Sequence, residues 1–390
     1  MAMTRRDMWK RGAAACLGSA AAFLPARADG PQDYGRYFRL PAAGPSGSPV
    51  LEDAPKSIVE DGRIATGLFK TPVRHMNLLD SRILHGKATC WLGLPRLLEW
   101  IGAGMAHPDW YFGFIIVDAK SAHLSVLYGY NRKTGALFSH DSLGPSRQVR
   151  VAESLWNDST RVEKSGFSMS VLHRLEKGFH QVSIDIKESA QGPPVRGNLT
   201  WHEDLEKTQP LVMMSQLDGL HFVYNHKAQM PIEGSMKIGG EEAVFDPLRD
   251  LANLGEVRSH SGLKNHYNWF NFGGFNREGR VVGLNALSSR QRPEHSWTEN
   301  CMWVGDTLSM VGPVHFEVDP RNIMQPWRAY DKAGRVDVTF HPEGGKSIML
   351  GFLGRYHQKC GCFRGTLIDD AGEHHEVTDY YGCAESMAVF

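Results

Sequence analysis

Four groups of side chains in this sequence have the types and spacing for chemistry. The first is Asn225-His226-Lys227. It follows an apolar run, Leu220 to Tyr224, and precedes Pro231, so it lies towards the end of a predicted strand. Alternation puts Asn225 and Lys227 on one face and His226 on the other. An imidazole at a barrel mouth serves as general acid or base near neutral pH, with His226 and Lys227 the candidate catalytic groups and Asn225 a binding group. The plainer alternative is a polar strand end bonded to neighbouring backbone. The second group is His266-Tyr267-Asn268-Trp269-Phe270-Asn271-Phe272, where polar and aromatic residues alternate. His266, Asn268 and Phe270 share one face; Tyr267, Trp269 and Asn271 share the other. An aromatic wall with amide donors suits a flat or polyene ligand, and His266, Asn268 and Trp269 are its candidate contacts. The same pattern also suits an aromatic core with amides fixing turns.

The third group is Glu299-Asn300, beside Cys301 and Trp303. A carboxyl group desolvated among apolar neighbours favours its protonated form and can give a proton to an alkene or carbonyl. Asn300, and Asn285 upstream, can hold a developing oxyanion, and Trp303 can line the pocket. A strand-end carboxylate in a salt bridge is the alternative. The fourth group is His357-Gln358-Lys359-Cys360-Gly361-Cys362, with His374-His375 and Cys383 downstream. Zinc sites usually carry Cys-x-x-Cys in matched pairs, and here the spacing is Cys-x-Cys with no second pair, so no metal is assigned. A disulfide to Cys383 and plain buried thiols remain as readings. The sequence has no Gly-x-Ser-x-Gly elbow, no phosphate-binding loop and no His-Glu-x-x-His.

Short alternating segments between turn signals must position these groups. They include 110–117, 123–128, 181–186, 281–284, 335–340 and 347–352, with lengths that suit antiparallel strands. Two helices are predicted, at Leu94 to Gly102, with Pro95 in its first turn, and at Phe245 to Leu254. No βαβ alternation and no short repeat appears, so the fold class is mostly β, built of barrels or sandwiches with few short helices. A break near residues 190–220 separates the halves, with the turn cluster Gln191-Gly192-Pro193-Pro194 just before it. The expected division is a leader over 1–28, an extended Pro/Gly/Ser-rich arm over 29–60, and domains over 61–210 and 211–390.

The 43 basic and 43 acidic residues cancel, which argues against nucleic acid as a partner. No apolar run after the leader reaches about 18 residues, so no stable membrane insertion is expected. The leader itself reads Thr4-Arg5-Arg6-Asp7, then a weakly apolar run from Ala13 to Leu24, then Ala26-Arg27-Ala28. A paired arginine, a short hydrophobic segment and a small-x-small cleavage site make a twin-arginine export signal, with an ordinary secretory signal as the plainer alternative. The expected location is periplasmic or otherwise exported, with the twin-arginine translocase as transient partner. Five cysteines follow the leader, an odd number, which leaves at least one thiol.

The second half resembles the domain of unknown function 2804 family. Tyr224-Asn225-His226-Lys227 with Pro231 and Gly234, then Asn268-Trp269 with Gly273-Gly274, Gly283-Leu284-Asn285, Glu299-Asn300 with Trp303, and Gly-rich strands ending at Gly382 and Glu385 carry the resemblance. It covers roughly residues 75–390 and departs from the family pattern between Asp246 and His266. More distantly, the family is similar to the carotenoid hydratase and tocopherol cyclase group. That resemblance implies two lipocalin-like barrels and cofactor-free acid–base chemistry on apolar molecules. The expected function is therefore an exported, cofactor-independent hydratase, isomerase, lyase or cyclase acting on a hydrophobic or aromatic small molecule. The alternatives are a non-catalytic carrier of a lipid, steroid or isoprenoid-like ligand, and a metalloenzyme using the Cys/His cluster.

Overall fold

The computed structural model describes residues 34–41, 50–84, 97–217, 219–261, 265–289, 298–349 and 354–389. The proposed leader and Cys90 lie outside these. The described chain is 64% strand and 4% helix, built mainly as two curled antiparallel sheets with a small three-stranded sheet near the N-terminus. The first has 15 strands. Its main path starts at Val149–Arg150, crosses Val195–His202, Phe222–Ile238 and Leu251–His260, and ends with the meander Leu97–Ala106, Trp110–Asp118, Ala122–Asn131 and Leu137–Pro145. The second has nine strands, with Asn265–Phe275, His374–Val389 and Gly354–Ile368 adjacent at its centre.

Each sheet curls around its own core. Val171, Trp201, Met230, Ile101 and Phe114 fill the first; Phe270, Phe272, Trp327, Phe340 and Phe363 fill the second. Period-2 alternation explains both, since Phe167–Arg174 and Val195–His202 bury every second residue.

Four expectations change. Residues 97–106 form a strand where a helix was expected, with Glu99, Ile101, Ala103 and Met105 on one face and Leu98, Trp100, Gly102 and Gly104 on the other. The second expected helix is a single turn followed by a strand. Arg249 N and Asp250 N both bond Asp246 O, and Asp250 Oδ2 returns to Asp246 N at 2.9 Å, before Leu251–His260 pairs on both sides. A few apolar residues at helical spacing are too weak a signal against two flanking strands. The Gln191–Pro194 turn joins two neighbouring strands of the first sheet; the chain changes sheets between His260 and Asn265, about fifty residues after the expected boundary. Residues 335–352 also yield one strand, Val336–Met349, with a register shift between Pro342 and Gly344. In the described parts of the N-terminal arm, Phe38, Ile58 and Val59 are buried in a separate cluster with Leu97, Val212, Met214, Phe222 and Tyr224.

The two sheets touch through specific pairs. Gln229, from the first sheet, reaches into the second and donates to Asn271 Oδ1 at 3.2 Å and Phe272 O at 3.1 Å, while Asn253 donates to its Oε1. Gly273 and Gly283 make the hole for it; a Cβ on Gly273 would stand 2.4 Å from Gln229 Oε1. Lys346 bonds Asp141 at 2.6 Å, and Tyr130 Oη donates to Glu343 O at 3.0 Å.

Candidate functional site

Between the facing walls of the two sheets lies a cavity of about 410 Å3, within the range for small-molecule sites. The first sheet supplies an aliphatic wall, including Ile115, Val117, Leu124, Val126 and Val257. Three rings lie across glycines on this wall. A Cβ on Gly104 would sit 2.1 Å from Tyr111 Oη, one on Gly113 2.1 Å from the Tyr128 ring, and one on Gly255 2.9 Å from the Trp100 ring. Any side chain there would lift the ring into the cavity.

Strand alternation delivers the polar groups. Asn225 and Lys227 face the cavity from Phe222–Ile238. Lys227 Nζ lies 5.2 Å from the ring centres of both Trp100 and Trp269, a cation held by two aromatic faces. Across the cavity, Tyr267, Trp269 and Asn271 face inward from Asn265–Phe275, as the alternating pattern predicts. Glu299 also lines the cavity.

Glu385 lies at the centre of the second wall. It stands opposite Trp269 on one neighbouring strand and Gln358 on the other. Tyr267 Oη donates to its Oε2 at 2.9 Å; Tyr356 Oη and Gln358 Nε2 donate to its Oε1 at 2.8 and 2.6 Å. The surface it keeps faces the cavity. Burial raises its pKa above the ordinary carboxyl range, against the lowering effect of the three donors and of Lys227. Burial also raises Tyr267 and Tyr356 well above the usual phenol range, with Glu385 adding to both and Glu299 to Tyr267.

The other sequence candidates lie elsewhere. Asn285 and Asn300 brace the strand end that carries Glu299. Asn285 Oδ1 accepts from Trp269 Nε1 at 2.9 Å and its Nδ2 donates to Glu299 O at 2.8 Å. Asn300 takes Leu287 N at 2.7 Å and gives to Gly312 O at 2.9 Å, so both its amide ends are committed to backbone. Trp303 is buried beside Met213 and Cys301 and donates to Gln209 O. His266 and Asn268 share the face of Phe270, away from the cavity.

His226, expected at a barrel mouth, points into the interior of the first sheet and is fully buried. It belongs to a chain of polar groups whose donors can be assigned one by one. Ala152 N–H gives to Thr160 Oγ1, whose hydroxyl gives to His173 Nε2 at 3.1 Å. His173 Nδ1–H then gives to His180 Nδ1 at 3.0 Å, and His180 Nε2–H gives to Glu203 Oε2 at 2.8 Å. From the other side His226 Nε2 gives to Glu203 Oε1 at 2.6 Å, and its Nδ1 faces Glu256 Oε2 at 3.4 Å. Arg258 pairs with Glu256 at 2.9 Å and with Glu99, and Lys120 also pairs with Glu99. Although burial opposes its charge, the two flanking carboxylates raise His226 to about 9. Glu203 is lowered, chiefly by His226, against its own burial. The network fixes strands from behind and makes no contact with the cavity.

The Cys/His cluster does not assemble as a metal site. Cys301, Cys360, Cys362 and Cys383 are free thiols, so no described cysteine forms the disulfide considered above. Cys360 and Cys383 stand opposite each other on neighbouring strands, and burial lifts Cys360 to about 12 and Cys362 to about 11. Among the described residues only Asp369, Glu373 and His375, on a hairpin remote from the cavity, bring three possible ligand atoms together.

Glu385, Tyr356, Gln358 and Trp100 join the site without a chemical signature of their own in the sequence. Tyr356-x-Gln358 carries a period-2 signal, but their convergence on Glu385 depends on the register of two strands.

No curated protein matches the chain. Among solved structures it resembles kievitone hydratase from Nectria haematococca, with 10% identity, a TM-score of 0.46, and 75% of this chain and 88% of that one covered. It also resembles CghA with Sch210972, with 11% identity, a TM-score of 0.51 and the same coverage. At these identities the likeness concerns the fold, and the second comparison supports it. A family description covers residues 51–389, nearly the whole described chain, and by it the protein belongs to the family named Domain of unknown function (DUF2804).

Proposed function

We propose that this protein is a cofactor-independent acid–base enzyme of the hydratase, isomerase, lyase or cyclase kind, and that its substrate is a hydrophobic or aromatic small molecule held between the two sheets. Glu385 carries this reading: a carboxyl group raised by burial, open to the cavity, with three hydrogen-bond donors already in place. Protonated, it can give its proton to an alkene or carbonyl. The carboxylate left behind is stabilised by Tyr267, Tyr356 and Gln358 without rearrangement, which lowers the barrier. Glu299 supplies a second carboxyl group on the same wall, its backbone held by Asn285, to take a proton from water or from the substrate. The aliphatic wall orients the hydrocarbon part and excludes water. We further propose that the protein works outside the cytoplasm after twin-arginine export; the leader sequence supports this.

The test uses an apolar extract from the producing cells, incubated with protein and followed by untargeted mass spectrometry. Wild type should convert at least one compound into an isomer or a species differing by one water. Glu385→Gln should still retain that compound on the protein and lose about two to four orders of magnitude in conversion, the usual worth of general acid catalysis. A compound that binds wild type and is never converted would refute the enzyme and establish the carrier.

A further inference from the structure

Two donors on one face of the strand Phe222–Ile238 narrow the kind of ligand. Lys227 is 3% exposed and faces the cavity between two tryptophan rings, and no oxygen of the described residues accepts from its ammonium. Asn225, 1% exposed, lies two residues earlier on the same face, and its Nδ2 has no acceptor among the described residues. The strand rise places the two residues about 7 Å apart. Tyr128 Oη, on the same cavity wall, also has no partner among the described residues. Buried donors without acceptors oppose folding, and a buried cation more so. Ring faces offset only part of that for Lys227. Apolar residues of similar shape at 225 and 227 would fold better, so the pair is arranged for an acceptor brought from outside the chain.

Glu385, at the centre of the opposite wall, does not fill this role. Glu385 is already engaged by Tyr267, Tyr356 and Gln358, and it feels Lys227 only through its field. Beyond the donors the wall of the first sheet is aliphatic, with Leu98, Ile115, Val117 and Leu124 along it. Resting on the assignment of this cavity as the ligand site, we propose that the ligand is an amphiphilic organic acid, its anionic oxygen head bound by Lys227 and Asn225 and its hydrocarbon body lying along the aliphatic wall. The head is a carboxylate or an enolate; both present a charged acceptor oxygen to an ammonium and an amide.

Parinaric acid, a fluorescent polyene carboxylic acid, and its methyl ester separate head from body. Wild type should bind the acid at least tenfold more tightly than the ester. Lys227→Met should bring the two affinities together, with no fall in melting temperature, because a buried cation has been removed. Lys227→Arg should keep the preference for the acid, and Asn225→Leu should weaken acid binding several-fold and leave ester binding unchanged. If Lys227→Met fails to fold, Lys227→Arg and Asn225→Leu carry the test. Equal, tight binding of acid and ester by wild type would overturn the anionic head and leave the cavity as the ligand site. Binding of neither probe would overturn the cavity assignment and this proposal with it.

Discussion

The buried imidazole of His226 makes stability depend on pH in a predictable window. In the folded protein it titrates at about 9, against 6.5 for an ordinary histidine. Below pH 6.5 both folded and unfolded chains hold the proton, and the ion pairs with Glu203 and Glu256 contribute fully. Between 6.5 and 9 the unfolded chain has lost its proton and the folded chain keeps it, so stability falls as pH rises. Above 9 the contribution is gone. At 1.36 kcal/mol per pH unit the loss is ~3 kcal/mol. Urea unfolding followed by tryptophan fluorescence, on wild type and His226→Gln at constant ionic strength, measures it. The stability advantage of wild type over the variant should shrink by ~3 kcal/mol across this window. His107, His123 and His357, lowered chiefly by burial, act below pH 6.5 with the opposite sign and cancel in the difference, and His173, lowered chiefly by burial and in part by His226 itself, also acts below this window. Parallel curves for the two proteins from pH 6.5 to 9 would refute a charged His226.

Two further outcomes are expected. Gly113→Ala should push the Tyr128 ring off the sheet and lower stability by ~1–3 kcal/mol, the usual cost of overpacking, while Gly312→Ala, with nothing within 4 Å, should not; equal melting temperatures would show that the ring does not need its seat. Replacing Arg5 and Arg6 by lysine should leave the precursor in the cytoplasm, because lysine lacks the planar guanidinium fork, and normal export of the double variant on fractionation would remove the twin-arginine assignment.

The legibility of this sequence follows from what period-2 alternation can and cannot encode. It places Asn225 and Lys227 together, separates His226 from them, and puts Tyr267, Trp269 and Asn271 on one face, all as found. It gives no sign of which face meets the other sheet. His226 therefore reads as a barrel-mouth acid although it faces Glu203, a residue from another strand. Asn300 and Asn285 read as oxyanion holders because an amide that clamps backbone has the same sequence appearance as one that binds ligand. Glu385 was visible within the family pattern, but its partners Tyr356, Gln358 and Tyr267 join it only once three strands are in register. The two false helices share a cause: local apolar spacing competes poorly with a strand that is paired on both edges.

The insertion of Gln229 over Gly273 and Gly283 has a consequence for how the cavity is tuned. A side chain seated in a hole, with one bond to the Asn271 side chain and one to the Phe272 backbone, sets one distance between the sheets; the walls cannot slide by a fraction of a residue without unseating it. Cavity width is then inherited from a joint that touches no ligand. Variants that enlarge or narrow the chamber can be sought at 229, 273 and 283 without altering a single lining residue.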